Sequence, residues 1–390
     1  MSEKLLVPKI RFKEFTNAWE QEKLGNLLRY EQPTKYLVSN TDYKTCGIPV
    51  LTAGKTFILG YTNEVNGIMN SSKSNPIIIF DDFTTDSHFV QFPFKIKSSA
   101  MKLLSNKNEI DNLFFNFLLI NKLNYEPESH ERHWISKFSV FSITQPSISE
   151  KSKISSLFTL LDSLITLHQR KLSSLKNLKN ILLDKMFCDE KSQFPSIRFK
   201  EFTNAWEQWK IGDLLTERLE FSKQTIDFPL MAFIANEGIT PKGERYDRSS
   251  LVKDVENKIY KVTKYGDFIY SSNNLDRGSI GANKYGNACI SPVYSVFRPT
   301  NLSDSRFIEK VLCRNDLIDK ILRYRQGVVY GQLRIHESAF LNINLNSPLL
   351  PEQHKIGRLL SNLDSLIALH QRKLNSLKNI KNTLLEKMFV

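Results

Sequence analysis

The chain has 390 residues, of which 41% are hydrophobic and 24% charged, which is typical of globular proteins and sufficient for two or three domains. The formal net charge of +13 favours a polyanionic partner such as nucleic acid, although many basic proteins bind none. No run approaches the roughly 18 apolar residues of a membrane span, and the N-terminal sequence lacks the apolar core of a signal peptide, so we expect a cytoplasmic protein with no membrane partner.

The cysteines are scattered along the chain, with no CxxC pair and no spacing typical of a zinc site. This pattern argues against a disulfide framework and against a structural metal. We therefore expect all of them to be reduced; they are Cys46, Cys188, Cys289 and Cys313.

Two blocks of sequence occur twice. IRFKEFTNAWEQ occupies residues 10–21 and returns unchanged at 197–208, an offset of 187 residues. LDSLITLHQRKLSSLKNLKNILLDKMF at 161–187 returns at 363–389 with five differences in 27 positions, an offset of 202 residues. The chain is therefore two tandem copies of one unit, in which a short frame precedes an insert and a long third segment follows it.

The first insert is rich in β-branched and aromatic residues. PIIIF at 76–80, FVQFPFKI at 89–96 and FSVFSI at 138–143 predict strands, and residues 109–121 predict a short helix.

Motifs for catalysis are incomplete in this insert. AGKT at 53–56 lacks the glycine that a phosphate-binding loop requires five residues before Gly54, and NPII at 75–78 lacks the second proline and the aromatic residue of a methyltransferase NPPY motif. SHERHW places His130 and His133 three residues apart, but no third candidate ligand lies at a sequence spacing typical of a metal site. We therefore expect structural or DNA-facing roles for these histidines.

Residues 150–191 show the periodicity of a long amphipathic helix. Apolar side chains recur every three or four residues from Ile154 to Met186, and residues 350–390 repeat the pattern. About 38 helical residues give a rod of roughly 57 Å, which is too long for burial in one small domain. We therefore expect the two helices to pack as an antiparallel coiled coil, with His168 and His370 as polar residues that fix its register.

The second insert has the same character as the first. GDFIYS at 266–271, VYSVF at 293–297 and FLNINL at 340–345 predict strands, and residues 303–325 predict helix. The predicted fold class is α+β, with two globular α/β domains separated by two long antiparallel coiled-coil helices in a pseudo-two-fold tandem repeat. The predicted boundaries are 1–149 for the first frame and domain, 150–191 for the central helix, 192–349 for the second frame and domain, and 350–390 for the C-terminal helix.

The order of these segments resembles a known family. PLLPEQHKIGRLLSNLDSLIALHQRKL from Pro348 closely matches the proline, EQ, KI and LD residues that open the long helix in the specificity subunit (HsdS) of Type I restriction-modification systems. PSISEKSKISSLFTLLDSLITLHQRKL from Pro146 matches them more loosely, with Lys151 at the position of Gln353. The opening PKIRFKEFTNAWEQEKLGNLL also looks like the start of that family, so the resemblance covers the whole chain.

The resemblance implies that the inserts are target recognition domains, each of which reads one half of an asymmetric bipartite sequence in double-stranded DNA. It also implies a non-catalytic subunit that recruits two methyltransferase subunits, which bind S-adenosylmethionine, and two restriction subunits, which use ATP and Mg. The chain itself is then expected to carry no cofactor and no metal.

The residues alone lead part of the way to this function. Two equal frames provide two equal docking surfaces for one type of partner. Two unequal inserts suit the recognition of two unequal DNA sequences. The rod of about 57 Å exceeds one turn of B-DNA, which is about 34 to 36 Å. Two alternatives stay open: a coiled-coil assembly scaffold without sequence specificity of its own, and a self-contained DNA methyltransferase or nuclease, which the incomplete motifs disfavour.

Candidate contact residues follow from their chemistry. Bases are read by Arg, Lys, Asn and Gln side chains on loops or helix ends, so polar loops of the inserts supply the DNA-binding candidates, each of which is also consistent with an ordinary solvated position. The frame aromatics are candidates for partner docking or, equally, for internal packing against the helix ends. The DNA-binding candidates are Lys55, Tyr61, Asn63, Thr85, His88, Asn273, Asn274, Arg277, Lys284, Arg325 and Gln332, and the partner-binding candidates are Phe12, Phe15, Trp19, Phe199, Phe202 and Trp206.

Overall fold

The chain folds into two compact units, Met1–His168 with Lys373–Val390, and Gln169–Arg372. Each unit contains one insert, the first part of the long helix that follows it and the last part of the other long helix. The structure, a computed structural model, describes residues 6–54, 56–123, 125, 127, 131–189, 192–235, 238–241, 258–272, 274–275, 278–327 and 333–389.

The first copy begins with a short strand and ends in a long helix. In chain order its elements are β1 (Glu20–Lys23), α1 (Leu24–Leu27), β2 (Leu28–Glu31), a 3-10 helix (Pro33–Tyr36), β3 (Ile48–Leu51), β4 (Ile58–Thr62), β5 (Ile77–Asp81), β6 (Ser87–Val90), β7 (Lys95–Ile96), β8 (Met101–Asn106), α2 (Leu113–Lys122), α3 (His133–Ser136), a 3-10 helix (Phe138–Val140), β9 (Ser142–Gln145) and α4 (Ile148–Lys185).

The core of the first insert is an antiparallel sheet of strand order β2-β8-β5-β6. Strand β5 is apolar from Ile77 to Phe80 because both faces of this sheet are covered. Ile77 and Ile79 pack toward β3 and β7, whereas Ile78 and Phe80, on the opposite face, pack toward α2. The continuous apolar run that marked this strand in the sequence is thus explained by two-sided burial.

The second copy runs through a similar series of elements. In chain order these are β10 (Glu207–Lys210), α5 (Ile211–Leu214), β11 (Leu215–Glu217), β12 (Phe221–Ser222), β13 (Met231–Ile234), β14 (Gly238–Pro241), β15 (Tyr260–Thr263), β16 (Phe268–Ser271), β17 (Ile280–Ala282), β18 (Ala288–Ile290), β19 (Tyr294–Pro299), α6 (Ser305–Leu312), α7 (Asn315–Leu322), β20 (Gln326–Gly327), β21 (Leu333–Arg334), α8 (Glu337–Leu341), β22 (Asn344–Ser347) and α9 (Leu350–Lys387).

The second insert repeats the sheet of the first. Its strand order, β11-β19-β16-β17, corresponds strand for strand to β2-β8-β5-β6. Each insert is also closed at its base by a pair of antiparallel strands, β1 with β9 in the first unit and β10 with β22 in the second. Each insert therefore leaves and rejoins the rest of the chain at neighbouring strands.

Both long helices end against a frame. The last carbonyl groups of a helix lack partners within the helix itself. In the second unit the N–H of Ile197 donates to the Lys185 carbonyl over 2.8 Å, and in the first unit the N–H of Ile10 donates to the Lys387 carbonyl over 2.9 Å. These contacts give the helices their ends at Lys185 and Lys387, before the predicted limits of 191 and 390.

The α+β class with two long helices is confirmed, but four local predictions need correction. Of the strand predicted over 89–96, only the two ends are strands, in β6 and β7. Residues 138–140 of the predicted strand FSVFSI form a 3-10 helix, because the ring of Phe138 packs 4.8 Å from that of Phe80. Phe340 of FLNINL lies in α8 and packs 5.0 Å from Phe297. Tertiary packing overrides local strand propensity at both sites. The helix predicted over 303–325 is divided into α6 and α7 at Cys313 and Arg314.

Candidate functional site

The frame of the first unit joins the start of α4 to the end of α9. Trp19 is 3% exposed and packs edge-on against Phe389, with 6.2 Å between ring centroids. Arg11 donates two hydrogen bonds of 2.7 Å to the carboxylate of Glu150 in the first turn of α4, and these bonds raise the pKa of Arg11. A buried bidentate pair of this kind sets the orientation of both partners.

The frame of the second unit makes the same contacts with the other ends of the helices. Trp206 is 1% exposed and packs edge-on against Phe187 at 6.3 Å. Arg198 donates bonds of 2.8 and 2.7 Å to Glu352 in the first turn of α9, and its pKa is likewise raised. The twelve repeated residues thus form the same joint in each unit.

The six frame aromatics all contribute to packing within their own unit. The two tryptophans are buried, and the half-buried Phe12 and Phe199 pack against the cores. Phe15 lies beneath Lys153, and Phe202 lies beneath Lys355, each with 5.5 Å between the ammonium nitrogen and the ring centroid. The structure therefore brings these side chains to the helix ends, and their role in partner docking stays a prediction.

Each long helix also carries apolar side chains that face solvent. Leu167 is 61% exposed and Leu178 is 44% exposed on α4, and at the equivalent positions of α9 Leu369 is 40% and Ile380 is 45% exposed. A spacing of 11 residues is close to three helical turns, so each pair lies on one face of its helix. Packing inside either unit does not explain this paired exposure, and the apolar periodicity of the sequence did not predict it.

Thr85 and His88, two candidates of the first unit, lie at the end of the β5–β6 hairpin. Thr85 lies in the turn and has a φ of 62°. His88 lies in β6, where its ring stacks on that of Phe57 at 4.3 Å and its Nε2 is 3.3 Å from the Gly54 carbonyl oxygen.

Tyr61 and Asn63 lie at the end of β4 in the same unit. Tyr61 is half-buried and exchanges backbone hydrogen bonds of 2.8 and 3.1 Å with Lys44, and Asn63 is exposed. They belong to a different sheet from the β5–β6 hairpin, so the structure distributes the first unit's candidates over two elements.

The candidates of the second unit fall in three separate loops. Asn274 is exposed in the connection between β16 and β17. Lys284 forms an ion pair of 2.6 Å with Glu309 on α6, and Arg325 follows α7, where its N–H donates to the Leu322 carbonyl. The candidates Lys55, Asn273, Arg277 and Gln332, and also His130, lie outside the described residues.

The sheet order shows that two of these loops are equivalent. The β5–β6 turn contains Thr85, and the β16–β17 connection contains Asn274. Both connect the third strand of the sheet to the edge strand. The first connection spans five residues, 82–86, and the second spans eight, 272–279. Two candidate regions chosen by composition alone therefore occupy the same place in two similar sheets.

Both units contain a cleft beside the long helices. The cleft of the second unit has a volume of about 1010 Å³, and its lining includes Lys179, Lys310 and Asp364. The carboxylate of Asp364 forms ion pairs with Lys179 over 2.6 Å and with Lys310 over 2.5 Å. Within the described ranges, no group of three or more His, Cys, Asp or Glu side chains is placed to hold a metal ion. Nor does any helix among those residues have the length and apolar character of a membrane span.

Comparisons with known proteins agree with this architecture. Residues 204–379 match the family described as Type I restriction modification DNA specificity domain. The EcoR124I/EcoR124II specificity subunit of Escherichia coli is 51% identical over 127 residues, which is 32% of this chain and 31% of that subunit. The chain thus matches about a third of the length of this curated relative.

One solved structure shows the same fold. The S subunit of a Type I restriction-modification system from M. genitalium aligns over 98% of this chain and 99% of its own, with a TM-score of 0.67 and 14% identity. The HsdS subunit from Thermoanaerobacter tengcongensis aligns over 95% and 96%, with a TM-score of 0.43 and 15% identity.

The fold, with two similar units that share two long helices, is thus that of a Type I restriction-modification S subunit. Together with the match of residues 204–379 and the identity over 127 residues to the E. coli subunit, this fold makes the chain similar to Type I specificity subunits. The resemblance recognised in the sequence is confirmed.

Proposed function

We propose that this chain is the DNA sequence-recognition subunit of a Type I restriction-modification complex and is itself non-catalytic. Its recognition domains lie within 1–149 and 192–349, and each reads one half of an asymmetric bipartite target, while the helices of 150–191 and 350–390 act as the spacer. One observation carries the proposal: the two units repeat the same sheet order and the same frame contacts, whereas their equivalent hairpin connections differ in length and residues. Two equal scaffolds with unequal loops suit a protein that recognises two different DNA half-sites with loops in equivalent positions.

The charge of the chain supports double-stranded DNA as the ligand. A net charge of +13 favours contact with phosphates, which supplies affinity without sequence information. Sequence must then be read by side chains on the loops, where the two inserts differ most. A cytoplasmic location follows from this proposal, because the DNA is there.

The repeated surfaces support two equal partner sites. Each unit carries one identical frame, and the exposed positions on α4 and α9 are apolar in both helices. We assign these surfaces to two methyltransferase subunits, with two restriction subunits completing the complex. On this proposal S-adenosylmethionine, ATP and Mg are bound by those partners.

The test is an exchange of one insert in the complete system. The segment between β10 and β22 is replaced by that of another specificity subunit, and methylated adenines are mapped in the DNA of cells that carry the complex. We expect one half of the target to change and the other half to stay the same. An unchanged target would support the scaffold function instead, and methylation of DNA by the purified chain with S-adenosylmethionine alone would show that it is an enzyme.

A further inference from the structure

The turn between β5 and β6 has a backbone conformation that its sequence disfavours. Thr85 has a φ of 62°, in the left-handed region that β-branched residues avoid, and among the residues that the structure describes it is the one non-glycine residue there. Its N–H donates to the Asp81 carbonyl over 3.0 Å, and its hydroxyl donates to the Tyr125 carbonyl over 3.4 Å. Strain that surrounding contacts maintain is a feature of functional sites.

The start of the turn is anchored in the core. Asp82 is 1% exposed, and its carboxylate lies 3.3 Å from the ammonium of Lys102, which is equally buried. The same carboxylate accepts the N–H of Trp134 over 2.8 Å, and the Asp82 carbonyl accepts the N–H of His133 over 2.9 Å. The turn is therefore anchored rigidly in the core. A side chain that distinguishes one nucleotide base from another needs such support.

The turn presents an acidic side chain in a basic protein. Asp86 is exposed, and no ion pair found among the described residues includes it. The Thr84 hydroxyl donates to its carboxylate over 3.3 Å, which restricts its orientation. A carboxylate is repelled by phosphates, so in contact with DNA it has a favourable partner only in a donor on a base edge. Such a residue lowers the affinity for non-specific DNA and increases the discrimination between base sequences.

We propose that Asp86 is a specificity-determining residue of the first unit and accepts a hydrogen bond from the N4 amino group of a cytosine in the major groove. Thr85 acts as a positioning residue, because its backbone conformation sets the direction of the next side chain. This inference rests on the proposed function. In the second unit the equivalent connection exposes Asn274, a side chain of different hydrogen-bonding capacity, as expected for a different half-site.

The test compares Asp86→Ala with Asp319→Ala, which removes the same charge from an exposed position on α7 of the second unit. The complete methyltransferase complex is offered a duplex library randomised in both half-sites, and methylated sequences are counted. For Asp86→Ala we expect preference to fall roughly tenfold or more at a single cytosine of one half-site. Asp319→Ala is expected to retain the wild-type target.

Thr85→Gly separates positioning from simple packing. Glycine accepts the left-handed conformation without strain, so the melting temperature should stay the same or rise, while preference at the same base pair falls. If wild-type complex shows no sequence preference, the proposed function itself fails. If the wild type is specific and Asp86→Ala keeps full preference at every position, or loses it at a base other than cytosine, only the assignment of Asp86 is overturned. An unchanged target for Thr85→Gly overturns the positioning role.

Discussion

The guanidinium of Arg198 donates two hydrogen bonds, 2.8 and 2.7 Å long, to the carboxylate of Glu352, a residue that is only 2% exposed. Glu352→Gln leaves the charge of Arg198 in place and removes its counter-charge. Because breaking a buried pair on one side leaves an uncompensated charge, we expect the free energy of unfolding of the second unit to fall by about 3 kcal/mol. Urea unfolding of the full chain measures this loss.

The matched control is Glu201→Gln in the same unit. Glu201 forms an exposed ion pair with Lys355, and exposed pairs contribute little to stability because solvent and salt screen them. The control should therefore unfold at nearly the wild-type urea concentration. If both variants lost the same free energy of unfolding, the buried ion pair of Glu352 would contribute no more to stability than the exposed pair of Glu201.

At Gly357, α9 approaches the N-terminus of α6 closely. A Cβ atom at this position would lie 2.7 Å from Oδ1 of Asp304 and 2.9 Å from the backbone nitrogen of Phe307. We expect Gly357→Ala to destabilise the second unit by roughly 1 to 3 kcal/mol, although alanine favours a helix over glycine by about 1 kcal/mol. Ser365→Ala, on an exposed face of the same helix, should be nearly neutral. Thermal unfolding of both variants measures the two changes in stability. A Gly357→Ala variant more stable than the wild type would contradict the close approach of the two helices.

Asp304 gives the second unit a pH dependence of predictable sign. Burial raises its pKa, but hydrogen bonds from Arg306 and His354 outweigh burial and hold the pKa below the ordinary value of 3.8. A lowered carboxyl pKa in the folded state stabilises the fold above the unfolded-state value, and that contribution is lost as pH falls through the folded-state value. Asp304→Asn keeps the helix-capping acceptor, so its stability deficit should be largest near neutral pH and shrink below about pH 4. A deficit that stays constant in urea titrations down to acid pH would contradict this assignment.

The repeated parts of the molecule were predictable because their information is local. A run of apolar residues at helical spacing defines α4 and α9, and identical frames imply identical joints. The mismatch between Lys151 and Gln353 was visible in the sequence, but its compensation was not. In the first unit Lys151 forms an ion pair of 2.6 Å with Asp111, whereas in the second unit Gln353 accepts the N–H of Asp304 and donates to backbone carbonyl groups. Those partners lie about 40 and 50 residues away along the chain, so only the fold identifies them.

The candidate site was less predictable for a different physical reason. Donors such as Lys284 fit the chemistry of base recognition, but in the structure this side chain is paired with Glu309. The acceptor Asp86 was overlooked, because an acidic residue in a loop has no distinguishing pattern in sequence. The left-handed conformation of Thr85 was equally hidden, since its sequence favours the extended region.

The exposed apolar positions of the long helices lead to a prediction about assembly. Leu178 and Ile380 are equivalent and similarly exposed, at 44% and 45%. If each forms part of one partner site, Leu178→Gln or Ile380→Gln should lower the number of methyltransferase subunits that co-purify with the chain from two to one. The double variant should retain none. Because surface substitutions usually change stability by less than about 0.5 kcal/mol, the melting temperature should stay the same.

Lys176→Gln, at an exposed polar position of the same helix, serves as the control and should keep both partners. Native mass spectrometry of the purified complexes gives the stoichiometry. A double variant that still binds two methyltransferase subunits would place docking elsewhere, on surfaces such as the exposed residues of the frames. A lowered melting temperature with full stoichiometry would instead show that Leu178 and Ile380 stabilise the chain itself.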